Sequence, residues 1–173
     1  MKLKIKVKVL TEGCMPEIIE KGDWIDLRSS VDMEIKASQA GTQYTENGEK
    51  YRDVFTYVSY IPLGVAMQLP KGFEAIIASR SSGPSKLGLS IPSGQGIIDN
   101  SYNGNEDQWY YVASPLRNTE IRKGDRICQF RIQLSQKATF WQKLKWFFSS
   151  GIELVEVDNL STNNRGGIGS TGV

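Results

Sequence analysis

Met1-Lys2-Leu3-Lys4-Ile5-Lys6-Val7-Lys8-Val9 alternates apolar residues with lysines, and only an extended strand turns a period of two into one apolar and one charged face. The pattern predicts a strand with Leu3, Ile5, Val7 and Val9 on a core and the lysines in water. Further β-rich runs fall at 31–36, 54–61, 63–69, 73–78, 109–113, 127–134 and 152–157, separated by Gly, Pro, Asn and Ser. With 17 glycines and hardly any 3.6-residue period, this spacing predicts an all-β sandwich or barrel and not a βαβ fold. Asn47-Gly48, between two potential strands, is the strongest short-range hairpin signal and predicts a projecting ribbon over residues 41–58. The strand pattern breaks at 139–150, where Phe140, Leu144, Phe147 and Phe148 recur at helical spacing and predict one short aromatic helix. Residues 1–160 read as the β domain. Residues 161–173, small, polar and glycine-rich, are expected to form a flexible arm.

The chain has 173 residues, enough for one domain with a substantial core. Lys plus Arg number 21 against 19 for Asp plus Glu. That balance lacks the broad cationic surface of a non-specific nucleic-acid binder, though a local cluster would still serve a polyphosphate. There is no histidine, so serine-histidine triads, cysteine-histidine dyads, HExxH zinc sites and imidazole bases are all excluded. Proton transfer must fall to other groups, foremost carboxylates. The two cysteines, Cys14 and Cys128, are too few for a zinc site without histidine or for a disulfide framework, and read as free thiols. The opening alternation is unlike a signal peptide and no 18-residue apolar run follows, so the expected setting is cytoplasmic, with no membrane partner.

Four stretches carry chemistry. In Ile97-Ile98-Asp99-Asn100-Ser101-Tyr102-Asn103-Gly104 an acid follows an apolar pair in a tight turn. It reads either as a rigid general base with a ring beside it for a ligand, or as an Asx-turn aspartate with a core tyrosine. Arg80-Ser81-Ser82-Gly83 combines a cation, two hydroxyls and backbone N–H groups, suited to phosphate oxygens or equally to a serine-capped turn. Gly124-Asp125-Arg126-Ile127-Cys128-Gln129-Phe130 reads as a turn entering a strand, with Asp125 and Arg126 able to pair at the turn. Arg165-Gly166-Gly167-Ile168-Gly169-Ser170-Thr171-Gly172 reads as an arm able to wrap a polyphosphate, or as a disordered terminus.

Taken together and in this order, these stretches resemble the five motifs of the trimeric dUTPase family. Gly22-Asp23-Trp24-Ile25-Asp26-Leu27 is similar to the first, with Asp26 as its acid. Arg80-Ser81-Ser82 is similar to the second, Gly94 to Gly104 to the third, Gly124 to Phe130 to the fourth, and the final Gly-Ser-Thr-Gly to the fifth. Pro62-Leu63-Gly64-Val65 and Leu69-Pro70-Lys71-Gly72 resemble the strands before the second motif.

The resemblance implies a jelly-roll-like β-barrel with a short helical insertion, a homotrimer with sites shared between subunits, Mg²⁺, and hydrolysis of dUTP to dUMP and pyrophosphate. It implies Asp99 as base, Tyr102 packed on the deoxyribose, and Asp26 on metal-bound water. Arg80, Ser81, Ser82 and Gln129 would fix the phosphates and the attacking water, and the backbone of Gly96, Ile97 and Asp107 would read uracil. Arg165, Ile168, Gly169, Ser170 and Thr171 of the arm would enclose the substrate. Ile168 stands where the family has phenylalanine, and an aliphatic chain cannot stack as a ring does, which leaves Trp109 or Tyr110 as candidates for the uracil lid. Ser101 stands where the family often has an acid. The likeness to shorter bacterial and phage forms points to a phage or prophage source. Two alternatives remain. One is a dUTPase-fold protein whose main task is to bind a regulatory partner through 139–150. The other is the related dCTP deaminase, disfavoured because Trp109 occupies the place of its catalytic glutamate.

Overall fold

The computed structural model describes residues 1–55, 58–160 and 163–166. Its strands are β1 (Leu3–Val9), β2 (Glu17–Ile18), β3 (Ile25–Arg28), β4 (Met33–Ile35), β5 (Gln39–Glu46), β6 (Glu49–Phe55), β7 (Ser59–Gln68), β8 (Phe73–Ser79), β9 (Leu89–Ser90), β10 (Gly96–Ile98), β11 (Gln108–Pro115), β12 (Thr119–Ile121), β13 (Arg126–Leu134) and β14 (Ile152–Glu156), with one α-helix, α1 (Phe140–Phe147). Two five-stranded sheets, ordered β14-β1-β7-β11-β9 and β10-β8-β13-β3-β2, enclose the core. All pairings are antiparallel among the described residues except β1 with β14.

The opening alternation does what its period predicts. Leu3, Ile5 and Val7 are buried while Lys4 and Lys6 are exposed. The same alternation buries Trp109, Tyr111 and Ala113 on β11. Trp109 meets Phe130 of the facing sheet edge-on at 5.3 Å, a favourable ring geometry at the middle of the core. The cysteines are free and buried, and burial pushes both thiols up, so they persist as inert thiols.

The runs 54–61 and 63–69 depart from their expected form. The first is divided, its start closing β6, while its end joins the second in the single strand β7. Pro62 and Gly64, which punctuate the sequence, lie inside that strand. Gly64, at φ 65°, turns its carbonyl to the N–H groups of both Leu10 and Thr11, and a Cβ there would come 2.8–3.0 Å from Ser30 and Cys14. The Asn47-Gly48 hairpin is present as the separate ribbon β5-β6, both turn residues having positive φ.

Helix α1 is closed at its start by Thr139 and Gln142 in a reciprocal capping box. Its docking face differs from the expected stripe. Trp146 packs on Phe73 with ring centroids 5.4 Å apart, and the Gln142 side chain lies over Gly72, where any Cβ would collide with it. Phe140, Trp141, Phe147 and Phe148 are 66–78% exposed. The capping glutamine and the ring one turn later fix the orientation, and the phenylalanines of the stripe are left outside. No helix among the described residues is long and apolar enough to cross a membrane.

If this is the docked face, Trp146→Ala lowers unfolding stability by about 1–3 kcal/mol, less than for a fully buried ring. Phe147→Ser stays within about 0.5 kcal/mol in urea denaturation of the isolated chain.

Candidate functional site

The first of two polar clusters forms where β3, β13 and β8 run side by side, with Gln129 paired to Asp26 on one side and to Ala78 on the other. Asp26 is 3% exposed. A carboxylate so deep needs partners, and it has two: Arg80 Nε donates to Oδ1 at 3.1 Å and Arg126 Nη1 to Oδ2 at 3.3 Å. Arg80 leaves the end of β8 directly into Ser81 and Ser82, and Ser82 begins a short π-helical turn, Gly83–Leu87. Gln129 donates from Nε2 to Ser79 O at 3.3 Å. Two half-exposed guanidinium groups, serine hydroxyls and a fixed amide make a surface suited to phosphate oxygens.

Arg126 is the residue that sequence reasoning missed. Asp125 and Arg126 do not pair with each other: Asp125 accepts from Arg122 N at 2.9 Å within its own turn, while Arg126 reaches Asp26. The irregularity in the β13–β3 pairing between Arg126 and Cys128 re-aims it.

The second cluster is the turn after β10. Asp99 Oδ1 accepts from Ser101 N at 2.8 Å and from the Ser101 hydroxyl, and Oδ2 accepts from Arg165 Nη1 at 2.5 Å. Partial burial pushes the Asp99 carboxyl up, but the Ser101 bonds and the Arg165 guanidinium outweigh it and hold Asp99 below its usual range. A group so depressed contributes stability above its ordinary range, and that contribution is lost as pH falls through the lowered value. Asn100, another residue the sequence did not single out, anchors the turn by donating to the carbonyls of Leu69, Pro70 and Phe73 at 2.8–3.3 Å. Tyr102 is held by its hydroxyl on Gln108 O at 2.8 Å. Among the described residues β10 is an edge strand, so Gly96, Ile97 and Ile98 have one row of backbone groups without a strand partner there.

Asp107, only 2% exposed, gathers the N–H groups of Gly104, Arg165 and Gly166 on its carboxylate, and its own N–H donates to Gly104 O at 3.2 Å. Trp109 is fully buried against Phe130, so it cannot serve as a uracil lid. Tyr110 is half-buried, its hydroxyl accepting from Gln108 Nε2 at 3.0 Å. Ile168, Gly169, Ser170 and Thr171 lie outside the described residues.

One chain does not bring the clusters together. Ile98 pairs with Ala75, so Asp99 stands level with Glu74, whereas Arg80 leaves the other end of the same strand. From Glu74 to Arg80, at about 3.3 Å per residue, is roughly 20 Å. No group of three or more Cys, Asp or Glu side chains among the described residues could hold a metal ion directly.

Arg126→Met, which keeps the stem but removes one of the two charges on Asp26, should cost about 1–3 kcal/mol in denaturant unfolding. The lower half of that range is expected because Arg126 is 39% exposed.

The family model described as dUTPase matches residues 53–145. The SPbeta prophage-derived deoxyuridine 5'-triphosphate nucleotidohydrolase of Bacillus subtilis is 41% identical over 171 residues, covering 98% of this chain and 99% of that protein. Among solved structures, a mutant dUTPase from phage phi11 of Staphylococcus aureus, described with a structural Mg(II) ion, matches with TM-score 0.59 at 18% identity over 79% of this chain and 94% of that one. The Streptococcus mutans dUTPase matches with TM-score 0.58 at 21% identity, over 74% and 91%. These two likenesses are of fold.

Proposed function

The chain belongs to the dUTPase family, and on that premise we propose that it hydrolyses dUTP to dUMP and pyrophosphate at a site completed between copies in a homotrimer. The observation that carries the shared site is the separation of the phosphate-binding cluster from Asp99, about 20 Å along β8. One nucleotide cannot lie against both within a single chain. A second copy that brings its Asp99 turn to the first copy's Arg80 removes the difficulty.

In this reading Asp99 takes a proton from water, which attacks the α-phosphorus as the bond to the β-phosphate oxygen breaks and pyrophosphate leaves. Asp99, like any carboxylate in its ordinary range, is ionised at neutral pH, and Ser101 and Arg165 hold it lower still. Arg80, Arg126, Ser81 and Ser82 bind phosphate oxygens, and Gln129 orients the water. Tyr102, fixed by Gln108, lies on the deoxyribose and leaves no room for a 2′-hydroxyl. The free edge of β10 reads uracil, rejecting cytosine because its donor and acceptor are inverted at that edge. Tyr110 remains as the ring available to cover the base, and Ile168 to Thr171 would enclose the phosphates.

The donor set fits a Mg²⁺ carried on the substrate's phosphates and not one held by the protein, since both oxygens of Asp26 already accept from arginines. Asp26 would touch the ion only through water, and the ion supplies neutralisation of the polyphosphate charge. A second reading, that α1 also docks a regulatory protein, is favoured by the exposure of Phe140, Trp141, Phe147 and Phe148. It would leave turnover unchanged in Phe147→Ser/Phe148→Ser.

Pyrophosphate release with Mg²⁺ should be fast for dUTP and slow for dCTP, dTTP and UTP. Asp99→Asn should bind dUTP yet turn it over at least about a hundredfold more slowly. If sites are shared, mixing and refolding inactive Asp99→Asn with inactive Arg80→Ala regenerates about a quarter of the sites by random assortment. A mixture as inactive as its parents removes the shared site.

A further inference from the structure

Besides its ion pair with Arg165, Asp99 is held by two attachments of different kinds. The Ser101 N–H and hydroxyl fix its carboxylate within the turn and so move with the turn. Asn100, the next residue, ties the turn to the sandwich. Its Nδ2 donates to Pro70 O at 2.8 Å, Phe73 O at 3.2 Å and Leu69 O at 3.3 Å, and its own carbonyl accepts from Asn103 Nδ2 at 2.6 Å. All three partners of the amide are carbonyls, so the position calls for a donor. Those carbonyls belong to the corner between β7 and β8, which Phe73 N closes by donating to Pro70 O at 3.2 Å. Helix α1 and the chain leading to it rest on the same corner: Ser135 N donates to Gly72 O at 2.9 Å, the Gln142 side chain lies over Gly72, and Trp146 packs on Phe73 with ring centroids 5.4 Å apart. A continuous path of contacts therefore runs from the docked face of α1 through residues 69–73 to Asn100 and the peptide beside Asp99.

We infer that Asn100 is a positioning residue for Asp99, hanging its turn on the β7–β8 corner, and that α1, by bracing that corner, acts on turnover through Asn100. The inference rests on Asp99 being the base. A carboxylate that must take a proton from one particular water gains rate from being held in its productive place, and a misplacement of about 1 Å can cost a hundredfold. Ser101 alone cannot supply that hold, because a bond within the turn sets the direction of the carboxylate and not the position of the turn against the sheet. The β10 ladder ends at Ile98, paired with Ala75, one residue before Asp99. Asn100 takes over where the ladder stops. The helix bears on Gly72 and Phe73, within the stretch whose carbonyls receive the amide, so loosening the docked face loosens the anchorage of Asn100. Phe147, on the same helix but 78% exposed and edge-on to Phe148, lies outside this path.

The test is a double-mutant cycle in the full chain, with Asn100→Ala, Trp146→Ala and the two combined, beside Phe147→Ser as the control. The single-turnover rate of pyrophosphate release from dUTP with Mg²⁺ and the KM for dUTP are measured at a temperature where circular dichroism shows each variant folded. The expected result is a rate lowered about tenfold or more in Asn100→Ala with KM within about twofold, a split that general loosening of the fold would not produce. Trp146→Ala should lower the rate about threefold or more in the wild-type background and by less than about 1.5-fold once Asn100 is already alanine, since coupled residues are non-additive. Phe147→Ser should leave the rate unchanged. A folded Asn100→Ala that keeps its rate within about twofold of wild type overturns the inference. So does a Trp146→Ala effect that is missing in the wild-type background or equal in both. Should Asn100→Ala fail to fold, Asn100→Ser, which keeps one shorter donor, decides by the same outcomes. Failure of the catalytic reading looks different: Asp99→Asn would then turn over dUTP within a few-fold of wild type, whatever the cycle shows.

Discussion

The ladder of β8 sets the terms for everything at the site. It hydrogen-bonds β13 along one edge and β10 along the other. Through β13 it aligns Gln129 with Asp26, and its end delivers Arg80 to the same place. Through β10 it carries the Asp99 turn to the opposite end. Strand rise is nearly fixed, so the separation of the two clusters is a property of the pairing register and cannot be closed by side-chain rotation. The shared site proposed above rests on this one constraint.

Within the cluster around Arg80 and Arg126, Asp26 decides the electrostatics. Its burial would be costly alone, and the two guanidinium groups that compensate it are thereby held in fixed positions at the surface. A carboxylate on the floor holds two arginines in place, the arrangement that the proposed binding of phosphate oxygens calls for. At the other end Asp99 is more exposed and is held by Ser101 and Arg165. The two carboxylates therefore stand in different environments: one is buried among arginines, and the other lies on an exposed turn where water can reach it.

The sandwich that supports both ends is ordinary β packing, with Trp109 and Phe130 joining the sheets. Trp109 Nε1 is the one buried side-chain polar atom without a hydrogen-bond partner among the described residues, a cost of about 1–3 kcal/mol that the surrounding packing offsets. The helix is attached differently. Its capping box and Trp146 fasten one face, and the remaining rings stay in water.

Much of the local architecture is legible in the residues alone. The lysine alternation of β1, the Asn47-Gly48 hairpin and the presence of a short helix within 139–150 are local matters, and the periods of two and 3.6 residues and the Asn-Gly turn signal report them directly. The motifs around Arg80 and Asp99 are likewise recognisable, because each lies within a short stretch. Tertiary structure alone decides which face of α1 docks, that Pro62 and Gly64 lie within one strand, and that Trp109 is core and no lid. It alone pairs Arg126 with Asp26, 100 residues away, and binds Asn105, Glu106 and Asp107 to Asn159, Leu160, Asn164, Arg165 and Gly166. Contacts between distant residues leave no periodic trace in the sequence. They are chosen by strand register and by the need of buried charges and N–H groups for partners, which exist only once the sheets have closed.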